Sequence, residues 1–204
     1  MTLPLASIIV ASLSFLVSAA TAWLSLFRTG TVKMTKPTTI AFLDARGSDG
    51  PKVYLRTLVY STARRGHVIE SMFVRLRRGQ SHQTFNVWVY GEKDLARGSG
   101  IYVGHEGRTF NHHFVLPKDG TKFEFLPGDY SLEIFATLVN GSRLRLADVQ
   151  LQLSEQQAEA LKDKLCSVFF DWGPDSGTYH AHINRREPEM DFTDALNLGI
   201  FGGR

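Results

Sequence analysis

Hydrophobic and polar positions follow one rule in residues 1–27 and another beyond. Residues 1–27 contain no Asp, Glu, Lys, Arg, His, Asn or Gln. Pro4 sits where a first helical turn tolerates proline. Residues 4–27, taken as helix at about 1.5 Å per residue, extend roughly 36 Å. That crosses a hydrocarbon core of about 30 Å with some tilt. Trp23 and Phe27 fall near one interface and Arg28 closes the run. Ala20-Thr21-Ala22 fits the small-x-small site of a cleaved signal peptide. Yet no basic residue precedes the run, and it continues past that site through Trp23, Leu24, Leu26 and Phe27. The pattern therefore predicts a spanning anchor over 1–27.

Within that helix Ser7, Ala11, Ser14, Ser18, Thr21 and Ser25 recur at spacings of four and three. Small residues on one stripe let helix backbones approach, so the stripe predicts helix–helix association, with a second copy or a partner helix. Arg28, Lys33 and Lys36 follow the helix before any acid, and nothing basic precedes it. The bias predicts a cytoplasmic domain.

Residues 28–37 read as a polar linker ending at Pro37. From residue 38 the period becomes two. Runs at 38–44, 52–62, 68–77, 84–90, 100–103, 109–116, 122–126, 130–139 and 143–153 are rich in β-branched and aromatic residues. Gly, Pro, Asn or Asp separate them. Met72, Val74 and Leu76 alternate with Phe73, Arg75 and Arg77; Phe85, Val87 and Val89 alternate with Asn86, Trp88 and Tyr90. Such runs predict antiparallel strands in a sandwich or barrel. Asn140-Gly141 predicts a hairpin turn with positive φ at both residues. After Leu153 the period turns helical. Ser154 and Gln157 form a capping-box pair, and Ala158, Leu161 and Leu165 predict a helix of about eleven residues that ends near Cys166. Val168-Phe169-Phe170 resumes an apolar run, 171–175 reads as a turn, 178–183 as a last strand and 184–204 as a tail. The expected domain is a β-sandwich over 38–183, with no internal repeat.

The stretch Phe125-Leu126-Pro127-Gly128-Asp129-Tyr130-Ser131-Leu132-Glu133-Ile134 resembles the corner before the penultimate strand of immunoglobulin-like and fibronectin-like domains. The resemblance implies an Ig-like sandwich in which the Tyr130 hydroxyl caps nearby backbone, with Trp88 a candidate core tryptophan. It covers about ten residues, omits the inter-sheet cysteine pair and implies no activity. The whole chain resembles bacterial single-span membrane proteins of unassigned function, which implies a bacterial inner-membrane location and no chemistry.

Composition narrows the function classes. Of 204 residues, 43% are hydrophobic and 21% charged, which excludes a largely disordered chain. One cysteine excludes a disulfide framework and any multi-cysteine metal site. No segment after residue 27 is long and apolar enough to span a bilayer, so a polytopic transporter is excluded. The net charge of +3 hides an asymmetry. Residues 28–93 hold 12 basic and 4 acidic side chains, a net of +8; residues 94–204 hold 11 and 16, a net of −5. Arg64 and Arg65 in a turn, Arg75 and Arg77 on one strand face, and Arg78 beside them form a candidate basic surface. It would meet anionic lipid headgroups, unless those arginines pair with acids of the second half. No nucleic-acid-binding motif accompanies the charge, so nucleic acid is not an expected partner.

Candidate chemistry is sparse. His180 and His182 share a strand face, and with Asp171 or Asp175, or one of His112 and His113, could ligate zinc. The competing expectation, preferred here, is a domain without metal or cofactor whose imidazoles sit half exposed at strand ends, bonding backbone carbonyls. Cys166, at a helix C-terminus, suits a buried structural thiol rather than a nucleophile. There is no G-x-S-x-G, and Arg97-Gly98-Ser99-Gly100 lacks the lysine of a phosphate loop. Asn140-Gly141-Ser142 matches a glycosylation acceptor but reads as a turn. The sequence thus predicts a membrane-anchored binding or scaffold domain. The enzyme alternative is a tethered metal-dependent hydrolase using His180, His182 and an Asp; a third reading, with the opposite topology, is an envelope-facing ligand-binding domain.

Overall fold

The computed structural model describes residues 2–27, 29–45, 50–91, 96–98, 100–119, 122–163 and 165–185. Helix α1 (Thr2–Ala22) continues into a π-helical turn, Trp23–Phe27. Thirteen strands follow among the described residues. One sheet joins, in spatial order, β13 (Thr178–Arg185), β12 (Cys166–Gly173), β2 (Thr39–Ala45), β3 (Gly50–Ser61), β9 (Arg108–Val115), β6 (Val87–Gly91) and β7 (Ala96–Arg97). The short β1 (Val32–Met34) also pairs with β3, beyond the end of β2. The second sheet runs β11 (Arg143–Leu153), β10 (Gly128–Leu138), β4 (His67–Arg78) and β5 (Ser81–Phe85), with β8 (Ile101–Val103) on β4. Every pairing is antiparallel. The chain is therefore mainly β, with two antiparallel sheets, as its period-two runs predict.

The inward residues come from the predicted alternations. Met72, Val74 and Leu76 of β4 are buried, as are Leu132, Ile134 and Ala136 of β10. They meet Ile40, Phe42, Val53, Leu55, Phe114 and Phe170 in one core. Phe42 lies at its centre, stacked on Phe125 at 4.7 Å and edge-on to Phe170 at 4.9 Å and to Tyr130 at 5.8 Å. Burying a phenylalanine contributes roughly 1.5–3 kcal/mol, so this aromatic knot is a main tie between the sheets.

The differences from the sequence reading have physical reasons. Residues 84–90 are not one strand. β5 ends at Phe85 in one sheet and β6 begins at Val87 in the other, so Asn86 alone makes the crossing. The inward parity flips there: Phe85 is buried, and then Trp88. Residues 122–126 form no strand; Phe123 and Phe125 instead turn inward against Phe85, edge-on at 5.3 Å and stacked at 6.3 Å. The helix after Leu153 is only α2 (Glu155–Ala160), so Cys166 opens β12 rather than closing a helix. Its capping box does form: Ser154 Oγ accepts from the Gln157 amide, and Gln157 Oε1 from the Ser154 amide. β12 absorbs Asp171–Gly173, read as turn, and β13 runs on to Arg185; residues 186–204 lie outside the described residues. Val32 of β1, in the segment read as linker, is buried. In the β10–β11 hairpin only Gly141 has positive φ, because Asn140 Oδ1 caps the Ser142 amide at 3.0 Å and stabilises a longer turn.

Candidate functional site

The apolar segment Pro4–Ser25 has a mean hydropathy of 2.0 and none of it is buried against the sandwich. By length and composition this one helix can cross a membrane. Ser7, Ala11, Ser14, Ser18 and Thr21 lie in α1, while Ser25 falls in the π-helical turn, whose wider winding moves it out of α-helical phase. The Thr21 hydroxyl already donates to the Val17 carbonyl at 2.8 Å.

The five arginines of the predicted basic surface separate into three places. Arg64 and Arg65 are exposed in the β3–β4 turn and form no ion pair among the described residues. Arg75 and Arg77 stand on the outer face of β4, Arg75 opposite Glu133 on β10 and Arg77 opposite Ser131, two residues from it. Arg77 Nε donates to Glu133 Oε2 at 3.0 Å, Arg75 lies 3.6 Å from the same oxygen, and Arg145 of β11 reaches Oε1 at 3.3 Å. Arg145 also pairs with Asp148 at 3.2 Å. Phe73 and Phe135 stack at 4.9 Å beside this cluster, with Arg143 over Phe73 and Arg75 over Phe135. Burial of Glu133 opposes its ionisation, but Arg77, Arg145 and Arg75 outweigh that and hold its pKa below the ordinary carboxylate value. Arg78, at the far end of β4, donates to the Pro127 carbonyl at 3.1 Å. Arg75 and Arg77 thus meet an acid of the second half.

The histidines do not converge. β13 and β9 are four strand spacings apart, about 19 Å, so His112 and His113 cannot join His180 and His182. His180 Nε2 bonds Ser176 Oγ at 2.9 Å, and His182 Nδ1 faces Asp171 at 3.4 Å. Asp175 is exposed in the following turn. Among the described residues no three His, Cys, Asp or Glu side chains gather as a metal site. His112 departs furthest from expectation. It is fully buried rather than half exposed. Its Nδ1 accepts from Trp88 Nε1 at 3.0 Å, so Nε2 carries the hydrogen, and that atom has no partner among the described residues. Burial, then the charge of His113, lowers its pKa to about 4. A signal existed in the sequence: Phe110, His112 and Phe114 share one face of a strand.

Cys166 is buried, with Asp163 3.6 Å from its sulfur. Gly98 bonds back to Trp88 and Gly100 leads into β8, so that glycine-rich run connects strands; Ser99 lies outside the described residues. The Tyr130 hydroxyl donates to the Leu126 carbonyl at 2.5 Å, the capping contact that the immunoglobulin-like corner implies. Trp88, 4% exposed, is a core residue.

The sequence matches no family model and no curated protein. Among solved structures, the sporulation control protein Spo0M of Bacillus subtilis is similar at a TM-score of 0.33 and 12% identity. The match covers 84% of this chain and 96% of that one.

Proposed function

We propose that this chain is a single-pass membrane protein whose β-sandwich serves as a binding or scaffold module at the cytoplasmic surface. The observation that carries the reading is the uncharged, wholly unburied helix Pro4–Ser25 joined within a few residues to the first strand, β1. A helix of that length and hydropathy leaves every apolar side chain in water unless a bilayer or another protein covers it. Arg28, Lys33 and Lys36 support the cytoplasmic side, and the Ser7–Thr21 stripe supports a second apolar helix as partner. The test is extraction. The full chain should stay with membranes through an alkaline carbonate wash, and Ile9→Lys with Leu13→Lys should release it. Phosphatase and fluorescent reporters at the C-terminus read the side: fluorescence without phosphatase activity is expected. Release of the native chain by carbonate would overturn the anchor, and active phosphatase would reverse the topology.

A further inference from the structure

One end of the sandwich is fixed to the point where the chain leaves the apolar helix. Thr29 follows Ser25 by four positions, a reach of at most about 14 Å. The Thr29 carbonyl already accepts from His67 Nε2 at 2.9 Å. The Thr31 amide donates to Thr62 Oγ1, and the Thr62 amide to the Thr31 carbonyl, both at 2.9 Å. Between them Gly30 has φ 63, and a Cβ there would come within 2.7 Å of the Ala63 Cβ. The exit strand is therefore pinned against the β3–β4 turn that carries Arg64 and Arg65.

The neighbours of that turn are unusual for a water-facing surface. Val139, at the tip of the β10–β11 hairpin, is 65% exposed, Tyr102 58% and Val68 44%. The Val139 amide donates to the Val68 carbonyl, and the Tyr102 ring lies so close to Gly66 that a Cβ there would overlap it. Thr29, Arg65, His67, Val139 and Asn140 line one open cleft of about 580 Å³. Apolar tips, a tyrosine and two arginines that form no ion pair among the described residues thus share one end. The nearby acids are Glu106, which holds His105 at 3.0 Å, and Glu70.

We propose that this end rests on the bilayer that the chain's own helix crosses. Arg64 and Arg65 contact anionic lipid headgroups, and Val139 and Tyr102 enter the interface. The proposal depends on the anchoring reading above. Tyrosine suits the headgroup level, with an apolar ring and a polar tip. Each arginine near an anionic surface favours the docked state about fivefold, and tethering makes that sufficient because the surface is always in reach. Arg75 stands eight residues up β4 from His67, about 26 Å away. That is several times the screening length of about 8 Å, and its charge is turned to Glu133. The two arginine groups therefore do different work.

The experiment places the full chain in nanodiscs of phosphatidylcholine, with and without phosphatidylglycerol, and follows hydrogen–deuterium exchange. Amides of 138–142 should exchange at least about fivefold more slowly in the anionic discs, while 128–132, at the other end of β10, exchange equally in both. Arg64→Glu with Arg65→Glu should erase the difference and leave 128–132 unchanged, which also shows the variant folded; Asp129→Lys should preserve it. Equal exchange at 138–142 in the two discs, or slowing that survives the double reversal, would overturn the docking with the anchor intact. A chain that never enters the discs would overturn the anchor, and the docking with it.

Discussion

Two sets of arginines, ten positions apart in sequence, meet opposite fates. Arg75 and Arg77 lie on a sheet face where strand pairing brings them a carboxylate from 56 residues away in the case of Arg77. Arg64 and Arg65 lie in a turn, where no strand among the described residues supplies one. Arg75, 28% exposed on its side chain, and Glu133, 11% exposed, form a half-buried cluster whose charge is spent on folding. A pair of turn arginines in open solvent contributes little to stability and keeps its charge for another surface. A run of basic residues in a sequence is therefore not one patch. Which part is free depends on what the sheet places opposite.

The largest effect to separate from this comparison is the titration of His112, which falls in the acid range as well. Its pKa is lowered to about 4, against about 6.5 in the unfolded chain. The folded state then binds fewer protons, so stability is whole above pH 6.5 and falls as pH drops toward 4. The fall approaches about 3 kcal/mol at pH 4. His112→Phe should flatten denaturant midpoints across that window. At neutral pH it should cost about 1–3 kcal/mol for the Trp88 N–H left without an acceptor. An unchanged slope between pH 6.5 and 4 would place the acid sensitivity elsewhere.

Next in size is Glu133. Glu133→Ala should lower the unfolding free energy by about 2 kcal/mol, since hydrogen bonds to charged groups contribute roughly 1.5–3 kcal/mol. The sign with pH follows from its lowered pKa. The contribution is present above the unfolded value of about 4.3 and lost as pH falls through the folded value. In the His112→Phe background, a residual loss of stability below about pH 4 should shrink on Glu133→Gln, leaving the part that comes from Asp163, whose pKa is also lowered. Denaturation curves of the two variants that coincide at pH 3 and at pH 7 would break the distinction between paired and free arginines.

Much of the fold was legible in the sequence because alternation reports burial directly: β3, β4, β10 and β11 lie within a residue or two of the runs that predict them. The helix cap at Ser154 and the Tyr130 corner were legible because each is a local hydrogen bond between fixed offsets. What escaped depends on long-range pairing. Nothing local tells that Asn86 passes the chain from one sheet to the other, or that Phe125 plugs the core from an unpaired segment. Glu133 was hidden as a hub because its arginines come from β4 and β11. The place of Arg64 and Arg65 is half legible: the sequence shows the turn, but not that the exit segment Thr29–Thr31 is bonded to its flanks.

The smallest expected effect on stability is the most discriminating. Arg64→Glu with Arg65→Glu should shift the unfolding free energy by no more than about 0.5 kcal/mol, as exposed substitutions do. A shift near that of Glu133→Ala would mean that the turn arginines are structural, and the contrast between the two sets would disappear.

The central claim is that an anchored sandwich holds one particular end to the membrane. A spin label at Val139→Cys and, separately, at Asp129→Cys, each in a Cys166→Ser full-length chain in anionic bilayers, measures it most directly. The two sites are separated by ten residues of β10 and its turn, about 33 Å. With a nickel-chelating lipid as relaxant, the account predicts strong relaxation of the label at 139 and little at 129. Equal relaxation at both sites, or stronger relaxation at 129, would contradict it.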